Sequence, residues 1–221
     1  LHQLHRRQRQ MCIRDRNSAA QIAKKVESLS LTDFSLIIES FSTENVNDSI
    51  NSISEGLMLG NYSFDEFKTD KERTISINTE ILLREIDEGH EKSLEKALIT
   101  STASIKARNL VNRPPNIVNP EYLKDFSVDL ANQNEKLEIE IFDKNKITEL
   151  GMRAYLGVAQ GSTADPYGIK LTHLGDPGNK ENNLWLIGKG ITFDSGGLSL
   201  KPSFGMLEMK SDMSGGAAVL T

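Results

Sequence analysis

Two consecutive prolines, Pro114 and Pro115, constrain the fold of this chain more than any other feature. Proline lacks a backbone N–H and clashes with the preceding helical turn, so a helix must end before such a pair. Apolar residues recur at helical spacing from Gly89 to Asn112, which predicts one long helix immediately upstream. We therefore expect two parts that are joined by this helix and separated at the prolines.

Each part alternates predicted strands with predicted helices. Apolar runs and period-two patterns predict strands at residues 34–38, 74–83, 137–142, 167–174 and 184–187. Helical spacing predicts helices at residues 18–29, 45–59 and 147–150, and Asn119 followed by Pro120 predicts a further helix start. The run Leu184–Ile187 is wholly apolar, which is typical of a strand covered on both faces, with Trp185 in the core. The alternation predicts an α/β fold.

Charge is unevenly distributed along the chain. Residues 1–16 hold five arginines against one acid, Asp15. Such a segment is typical of a targeting peptide, but the abrupt change in composition at Asn17 favours a non-native addition or a disordered arm. The whole chain has a net charge of −5, so the remaining 21 basic and 30 acidic residues give the body −9. An acidic body disfavours nucleic-acid binding, because affinity for phosphates comes from clustered Lys and Arg.

Two further classes are excluded by composition. No apolar run approaches the roughly 18 to 20 residues that a membrane-spanning helix needs, and no apolar signal-peptide core lies near the start. We therefore expect a cytoplasmic protein without a membrane partner. The single cysteine, Cys12, excludes a zinc site built from several thiolates, so any metal must be held by oxygen and nitrogen ligands.

A glycine-rich stretch follows the predicted strand at residues 184–187 and begins with Gly188-Lys189-Gly190. It invites comparison with a phosphate-binding P-loop, which needs a glycine five positions before Gly188 and a Ser or Thr after the lysine. Asn183 and Gly190 occupy those positions, so the comparison fails.

Four charged residues, Lys189, Asp194, Lys201 and Asp212, lie among these glycines. Glycine permits positive φ and close backbone approach, so the four side chains can converge from separate turns. Two carboxylates and a lysine suit a pair of divalent cations, since one carboxylate can give an oxygen to each cation. Lysine binds a metal only as the neutral amine, so such a site also needs burial and nearby cations. The alternative is that these residues are solvated or form exposed ion pairs, which contribute only about 0–1 kcal/mol each.

At these residues the sequence resembles the leucyl aminopeptidase (cytosol aminopeptidase) family. The resemblance is carried by long, ordered motifs at residues 107–116, 156–162, 188–202 and 206–219. It implies an aminopeptidase that removes the N-terminal residue of a peptide, with leucine preferred. It also implies a centre of two divalent cations, Mn2+ or Zn2+, and a homohexamer.

The resemblance implies a separate role for each candidate site residue. Lys189 would be the lysine ligand of one metal, Asp194 would bridge both metals, and Asp212 would be a further ligand of the metal held by Lys189. Lys201 would stay protonated, polarise the scissile carbonyl and stabilise the oxyanion. Met209 would lie in the pocket for the first side chain of the substrate.

The resemblance also implies a domain organisation. Residues 17–88 would be part of an N-terminal α/β domain, residues 89–113 a linking helix, and residues 114–221 the first part of the catalytic domain. The family's second metal-binding segment, with its Asn-Thr-Asp-Ala-Glu-Gly-Arg run, does not occur in this sequence. In the family it supplies two more carboxylate ligands and an arginine that holds a bicarbonate. We therefore expect the 221-residue chain by itself to be inactive and poorly soluble.

Non-catalytic functions stay open as alternatives. Some members of this family act as DNA-binding factors, and a degenerate member would serve only oligomeric assembly. The net negative charge of the chain outside residues 1–16 argues against DNA binding. A second metal-binding segment whose acidic ligands were replaced by other residues would support a role in assembly alone.

Overall fold

The computed structural model describes residues 2–41, 45–69, 76–178, 181 and 183–221, with side chains from residue 10 onward. Residues 1–106 form one unit and residues 107–221 another. The fold is a mixed α/β fold, as the alternation of elements predicts. None of the described helices is long and apolar enough to cross a membrane.

The first unit contains a strand-helix-strand arrangement. Its elements are α1 (His2–Ser28), β1 (Asp33–Ile37), a 3-10 turn (Ile38–Ser40), α2 (Val46–Gly60), β2 (Asn78–Leu82) and the beginning of α3 (Glu88–Asn112). The strands pair in parallel, with Asp33 opposite Asn78 and Ile37 opposite Leu82. Parallel strands need a crossover connection, and α2 lies in that connection. The predicted strand at residues 74–83 is confirmed as β2, although Thr74 and Ile75 lie outside the described residues.

Helices α1 and α2 pack closely because glycine lies at two contact points. A Cβ atom on Gly56 would lie 2.3 Å from the carbonyl oxygen of Arg16, and one on Gly60 would lie 2.6 Å from the Cα of Ala20. The guanidinium Nε of Arg16 also donates to Glu55 Oε2 at 2.7 Å. Helix α1 runs without a break across the boundary predicted at Asn17. The non-native origin of residues 1–16 stays a prediction.

Asp15 is a buried acid on α1, and replacing it with asparagine should stabilise the chain. The residue is 3% exposed, and its Oδ2 accepts a hydrogen bond from the Ser49 hydroxyl at 3.4 Å. Burial raises the pKa of the Asp15 carboxyl above its ordinary value of 3.8. Asp15→Asn should therefore raise the free energy of unfolding at pH 7, because asparagine keeps an oxygen that can accept from the Ser49 hydroxyl and places no charge in the buried position.

The stabilising effect of Asp15→Asn should depend on pH. When folding raises the pKa of an acidic group, the folded protein loses stability as pH rises from the pKa of that group in the unfolded state to its pKa in the folded state. The advantage of Asp15→Asn should therefore vanish below about pH 4, as measured by urea unfolding at several pH values. Asp33→Asn is the matched control of opposite sign, because hydrogen bonds from Thr32 and Asn78 lower the pKa of Asp33. An advantage of Asp15→Asn that persists in acid would contradict the prediction.

The second unit packs helices against a two-stranded antiparallel sheet. After the end of α3, its elements are α4 (Pro120–Asn132), β3 (Leu137–Phe142), α5 (Lys144–Glu149), α6 (Arg153–Ala159), β4 (Gly168–His173), α7 (Ser203–Leu207), a 3-10 helix (Glu208–Met213) and α8 (Ser214–Leu220). Leu137 lies opposite His173 in the sheet. Helix α4 begins as predicted, with the Asn119 side chain accepting a hydrogen bond from Tyr122 N.

The core of this unit joins the end of α3 and helix α4 to the last two helical segments. Its buried residues are Leu110, Val118, Leu123, Met213 and Ala217. Because Met213 and Ala217 are buried in this cluster, the 3-10 helix and α8 have a fixed place against α3 and α4. That placement determines where Asp212 lies.

The predicted strand at residues 184–187 is wrong for this structure. Leu184 is 86% exposed and Ile187 90%, and no described strand pairs with this run. Trp185 is not in the core either: it is 66% exposed, and the Lys170 ammonium lies 6.0 Å from the centroid of its ring. An apolar run shows a tendency to be buried, but a strand also needs a hydrogen-bonding partner. Among the described residues this run has neither a partner strand nor a cover.

Candidate metal centre

Asp194 and Lys201 are brought together by a loop that depends on glycine. Gly196 has a φ of +89° and Gly197 a φ of +66°, the left-handed region that other residues rarely adopt. The loop closes where Lys201 N donates to Ser195 O at 2.9 Å. As a result, Lys201 Nζ lies 2.5 Å from Asp194 Oδ2 and donates to the carbonyl oxygen of Asp194 at 3.2 Å.

The environment of Asp194 favours the ionised carboxylate. Hydrogen bonding from Lys201 and from the backbone N–H of Gly196 holds the pKa of Asp194 below its ordinary value, and the charge of Lys189 contributes in the same direction. The Gly196 N–H donates to Oδ1 at 2.9 Å, so each carboxylate oxygen has a donor. Asp194 is therefore ready to bind a cation without first losing a proton.

Lys189 and Asp212 form the second pair. Lys189 Nζ lies 2.7 Å from Asp212 Oδ1, and the Asp212 side chain is 17% exposed. Its other oxygen, Oδ2, is buried and has no hydrogen-bond partner among the residues that the structure describes. Leaving a buried carboxylate oxygen without a partner costs free energy, and binding a cation there would remove that cost.

The 3-10 helix that carries Asp212 is held from both sides. Met213, the next residue, is buried in the core. Two residues earlier, Lys210 Nζ donates to the carbonyl oxygen of Asn112 at 3.0 Å. No local sequence pattern predicts this role of Lys210, because the residue that it contacts is 98 positions away. Met209 lies in the same 3-10 helix and is partly buried.

The donors present suit part of a metal centre. The structure brings Lys189 to Asp212 and Lys201 to Asp194, and it supplies two carboxylates that can bind a cation. The Lys189 side chain is 55% exposed and pairs with Asp212, so a role as a metal ligand requires more burial than these residues provide. Among the described residues no three His, Cys, Asp or Glu side chains cluster closely enough to hold a metal by themselves. These residues by themselves therefore fit no more than part of a metal centre.

Gly196 should tolerate no side chain. Besides its positive φ, a Cβ atom there would lie 2.4 Å from the carbonyl oxygen of Ser199. Gly196→Ala should therefore lower the free energy of unfolding by at least about 1–2 kcal/mol, measured by urea denaturation. Gly157→Ala in α6 is the matched control, because a Cβ there meets nothing within 4 Å and alanine favours a helix. Equal stability of the two variants would contradict the prediction.

The fold and the paired lysines and carboxylates define an α/β protein with a candidate metal centre. The model of the cytosol aminopeptidase family's catalytic domain matches residues 105–221, and that of the family's N-terminal domain matches residues 14–71. The chain belongs to the cytosol aminopeptidase family.

Curated relatives match most of the chain. It is 35% identical over 211 residues to a probable cytosol aminopeptidase of Clostridium perfringens, an alignment that covers 93% of this chain and 42% of the relative. It is 44% identical over 172 residues to a probable cytosol aminopeptidase of Alkaliphilus oremlandii, which covers 75% of this chain and 34% of that relative. The chain thus spans well under half the length of these relatives.

Solved structures of related enzymes share the fold. A tomato leucine aminopeptidase mutant superposes with a TM-score of 0.81 at 28% identity, over 93% of this chain and 40% of that one. The bottromycin maturation enzyme BotP, in complex with Mn, superposes with a TM-score of 0.78 at 28% identity, over 95% of this chain and 43% of that one.

Proposed function

We propose that this chain carries part of the active site of a metal-dependent aminopeptidase, which removes single residues, leucine preferred, from the amino end of peptides. One observation carries the proposal: Lys189 pairs with Asp212 and Lys201 with Asp194, while the second oxygen of Asp212 is buried and has no partner in the described part of the chain. Membership of the cytosol aminopeptidase family and the likeness to a leucine aminopeptidase support the reaction class.

The metal ligands in this chain would be Lys189, Asp194 and Asp212. Two divalent cations, Mn2+ or Zn2+, supply when bound an activated water and a Lewis acid for the scissile carbonyl. Asp194 would offer one oxygen to each cation, and Asp212 would offer the oxygen that has no partner. The Mn complex of BotP is consistent with manganese.

The other two residues would act on the substrate. Lys201 would donate an N–H from its ammonium to the oxygen of the scissile carbonyl, where negative charge develops during the reaction. Its partner Asp194 keeps the ammonium beside the carboxylate that would bind the metals, because Lys201 Nζ contacts both the carboxylate and the carbonyl of that residue. Met209 would line the pocket for the first side chain of the peptide.

The assembly would extend beyond these 221 residues. The remaining metal ligands, and an arginine that holds bicarbonate, would come from a segment outside this sequence, and the complete protein would be a cytoplasmic homohexamer. Residues 17–88 would belong to the N-terminal domain, residues 89–113 to the linking helix, and residues 114–221 to the catalytic domain. By itself the 221-residue chain would be inactive, since its described residues supply only part of the ligand set.

The test compares two polypeptides. The first is the 221-residue chain, and the second is a chimera in which residues 105–221 replace the matching segment of the Clostridium perfringens relative. With Mn2+, the chimera should release p-nitroaniline from leucyl-p-nitroanilide and lose this activity in EDTA, whereas the chain alone should not react. A folded chimera without activity would overturn the proposed reaction. Robust activity of the chain alone would overturn the proposed incompleteness of its site.

A further inference from the structure

Three glycines from two separate segments meet at the backbone of Lys189. A Cβ atom on Gly188 would lie 2.4 Å from the carbonyl oxygen of Gly215. On Gly216 it would lie 2.9 Å from the carbonyl oxygen of Lys189, and on Gly215 it would lie 3.1 Å from Lys189 N. The first two distances are shorter than real Cβ atoms approach, so the two backbones are in direct contact only because these positions have no side chain.

A hydrogen bond crosses the same contact. The backbone N–H of Gly216 donates to the carbonyl oxygen of Lys189 at 2.6 Å. Helix α8 begins at Ser214, so Gly216 lies in its first turn, where N–H groups have no acceptor within the helix. The carbonyl of Lys189 supplies that acceptor and ties the lysine to the first turn of α8.

This contact places the backbone of Lys189 close to that of its ion-pair partner, Asp212. Asp212 lies two positions before α8 and is held in place by the burial of Met213. Because the backbone of Lys189 lies on the first turn of α8, its side chain starts from a fixed point relative to Asp212. Lys189 Nζ then reaches Oδ1 at 2.7 Å although the lysine side chain is 55% exposed.

We propose that Gly188, Gly215 and Gly216 are positioning residues for Lys189, which hold its backbone where the side chain reaches Asp212. The consequence for function rests on the proposed role of Lys189 and Asp212 as metal ligands, but the positioning itself is measured without metal. Gly190 and Gly205 provide matched controls, since a Cβ atom at either position meets nothing within 4 Å. Gly190 is also the direct neighbour of Lys189.

The test measures how well Asp212 shields the Lys189 amine. The 221-residue chain, at low micromolar concentration, is pulsed with a limiting amount of acetic anhydride, and acetylation of each lysine is quantified by peptide mass spectrometry. Asp212→Asn should raise acetylation of Lys189 about two- to fivefold, the range expected when an exposed ion pair is lost. Gly216→Ala should raise it by the same factor. The double variant, Asp212→Asn with Gly216→Ala, should show no further rise in acetylation of Lys189, because both changes remove the same ion pair between Lys189 and Asp212.

Internal and mutational controls separate positioning from general loss of structure. Lys201 is paired with Asp194 and Lys170 with Glu140, so their acetylation should stay constant in every glycine variant. Gly190→Ala and Gly205→Ala should leave Lys189 at the wild-type level. Gly215→Ala introduces the mildest contact, 3.1 Å from Lys189 N, and should give a smaller rise than Gly216→Ala.

Three results would overturn the proposal. The first is wild-type acetylation of Lys189 in both Gly215→Ala and Gly216→Ala. The second is a double variant whose effect equals the product of the two single effects. The third is a parallel rise at Lys170 and Lys201, which would mean that the glycines support the whole unit and have no particular effect on Lys189. An inactive chimera would refute the proposed peptidase reaction but would leave these acetylation results unchanged.

Discussion

Replacing Lys201 with methionine in the chimera should lower kcat by about two to three orders of magnitude, the range seen when one donor to a developing oxyanion is removed. Methionine keeps most of the length and packing of the side chain but removes its charge and its N–H donors. KM should change little, because the lost interaction forms mainly in the transition state. The reaction is followed with leucyl-p-nitroanilide at saturating Mn2+.

The same variant should keep its affinity for Mn2+, or gain affinity. Lys201 Nζ lies 2.5 Å from Asp194 Oδ2, an oxygen that a bridging carboxylate must give to a cation. Removing the ammonium frees that oxygen, so metal binding, measured from the EPR signal of free Mn2+, should not weaken.

Lys170→Met is the control for the lysine change. Lys170 pairs with Glu140 across β3 and β4 at 3.2 Å, and both residues are substantially exposed, so kcat should stay within about twofold of the unchanged chimera. A Lys201→Met chimera with unchanged kcat would refute the proposed role of this ammonium. One that no longer bound Mn2+ would place Lys201 in metal binding instead.

Replacing Asp194 with asparagine in the chimera should weaken Mn2+ binding by about 100-fold or more. Losing a residue that only orients a metal ligand already costs about 10- to 100-fold in affinity, so losing a ligand that bridges two cations should cost at least the upper value. Asparagine keeps an oxygen that can accept from Gly196 N, but it carries no charge and has only one oxygen. The loop can therefore keep its shape while the cation site fails.

Metal affinity is measured directly, by equilibrium dialysis, because Asp194→Asn also leaves Lys201 without its partner and would alter kcat for that reason alone. Asp165→Asn is the control. Asp165 is exposed and lies in the segment that matches the family's catalytic domain, so the affinity of this variant for Mn2+ should equal that of the unchanged chimera. If Asp194→Asn bound Mn2+ as tightly as the control, Asp194 would not be a metal ligand.

Elements whose signals are local were predictable from the sequence. Helix α4 begins at Asn119 and Pro120 because the amide side chain accepts a backbone hydrogen bond and proline already has helical φ. Strand β3 alternates over most of its length in burial as its residues alternate in polarity, until Ile141 and Phe142, which are both apolar and both partly buried. In both cases the residues that give the signal lie within a few positions of each other in the sequence.

Elements that depend on distant partners were not predictable. The run Leu184–Ile187 has the composition of a buried strand, but it forms no strand, since pairing and cover must come from elsewhere in the protein. The 3-10 helix and α8 were not predicted, and they are held by the burial of Met213 and Ala217 against α3 and α4. Periodicity within so short a segment does not identify a partner that lies about 100 residues earlier in the chain.

For the candidate site, the sequence alone determined which residue types are available: two aspartates, two lysines and the glycines that allow them to converge. Only the tertiary structure decided the pairs. Asp194 lies five positions from Lys189 but pairs with Lys201, and Lys189 pairs with Asp212, 23 positions further along the chain. Glycine-rich loops have many accessible conformations, so spacing does not specify which charges meet. The pairing follows from the positive φ of Gly196 and from the contact of Lys189 with the first turn of α8.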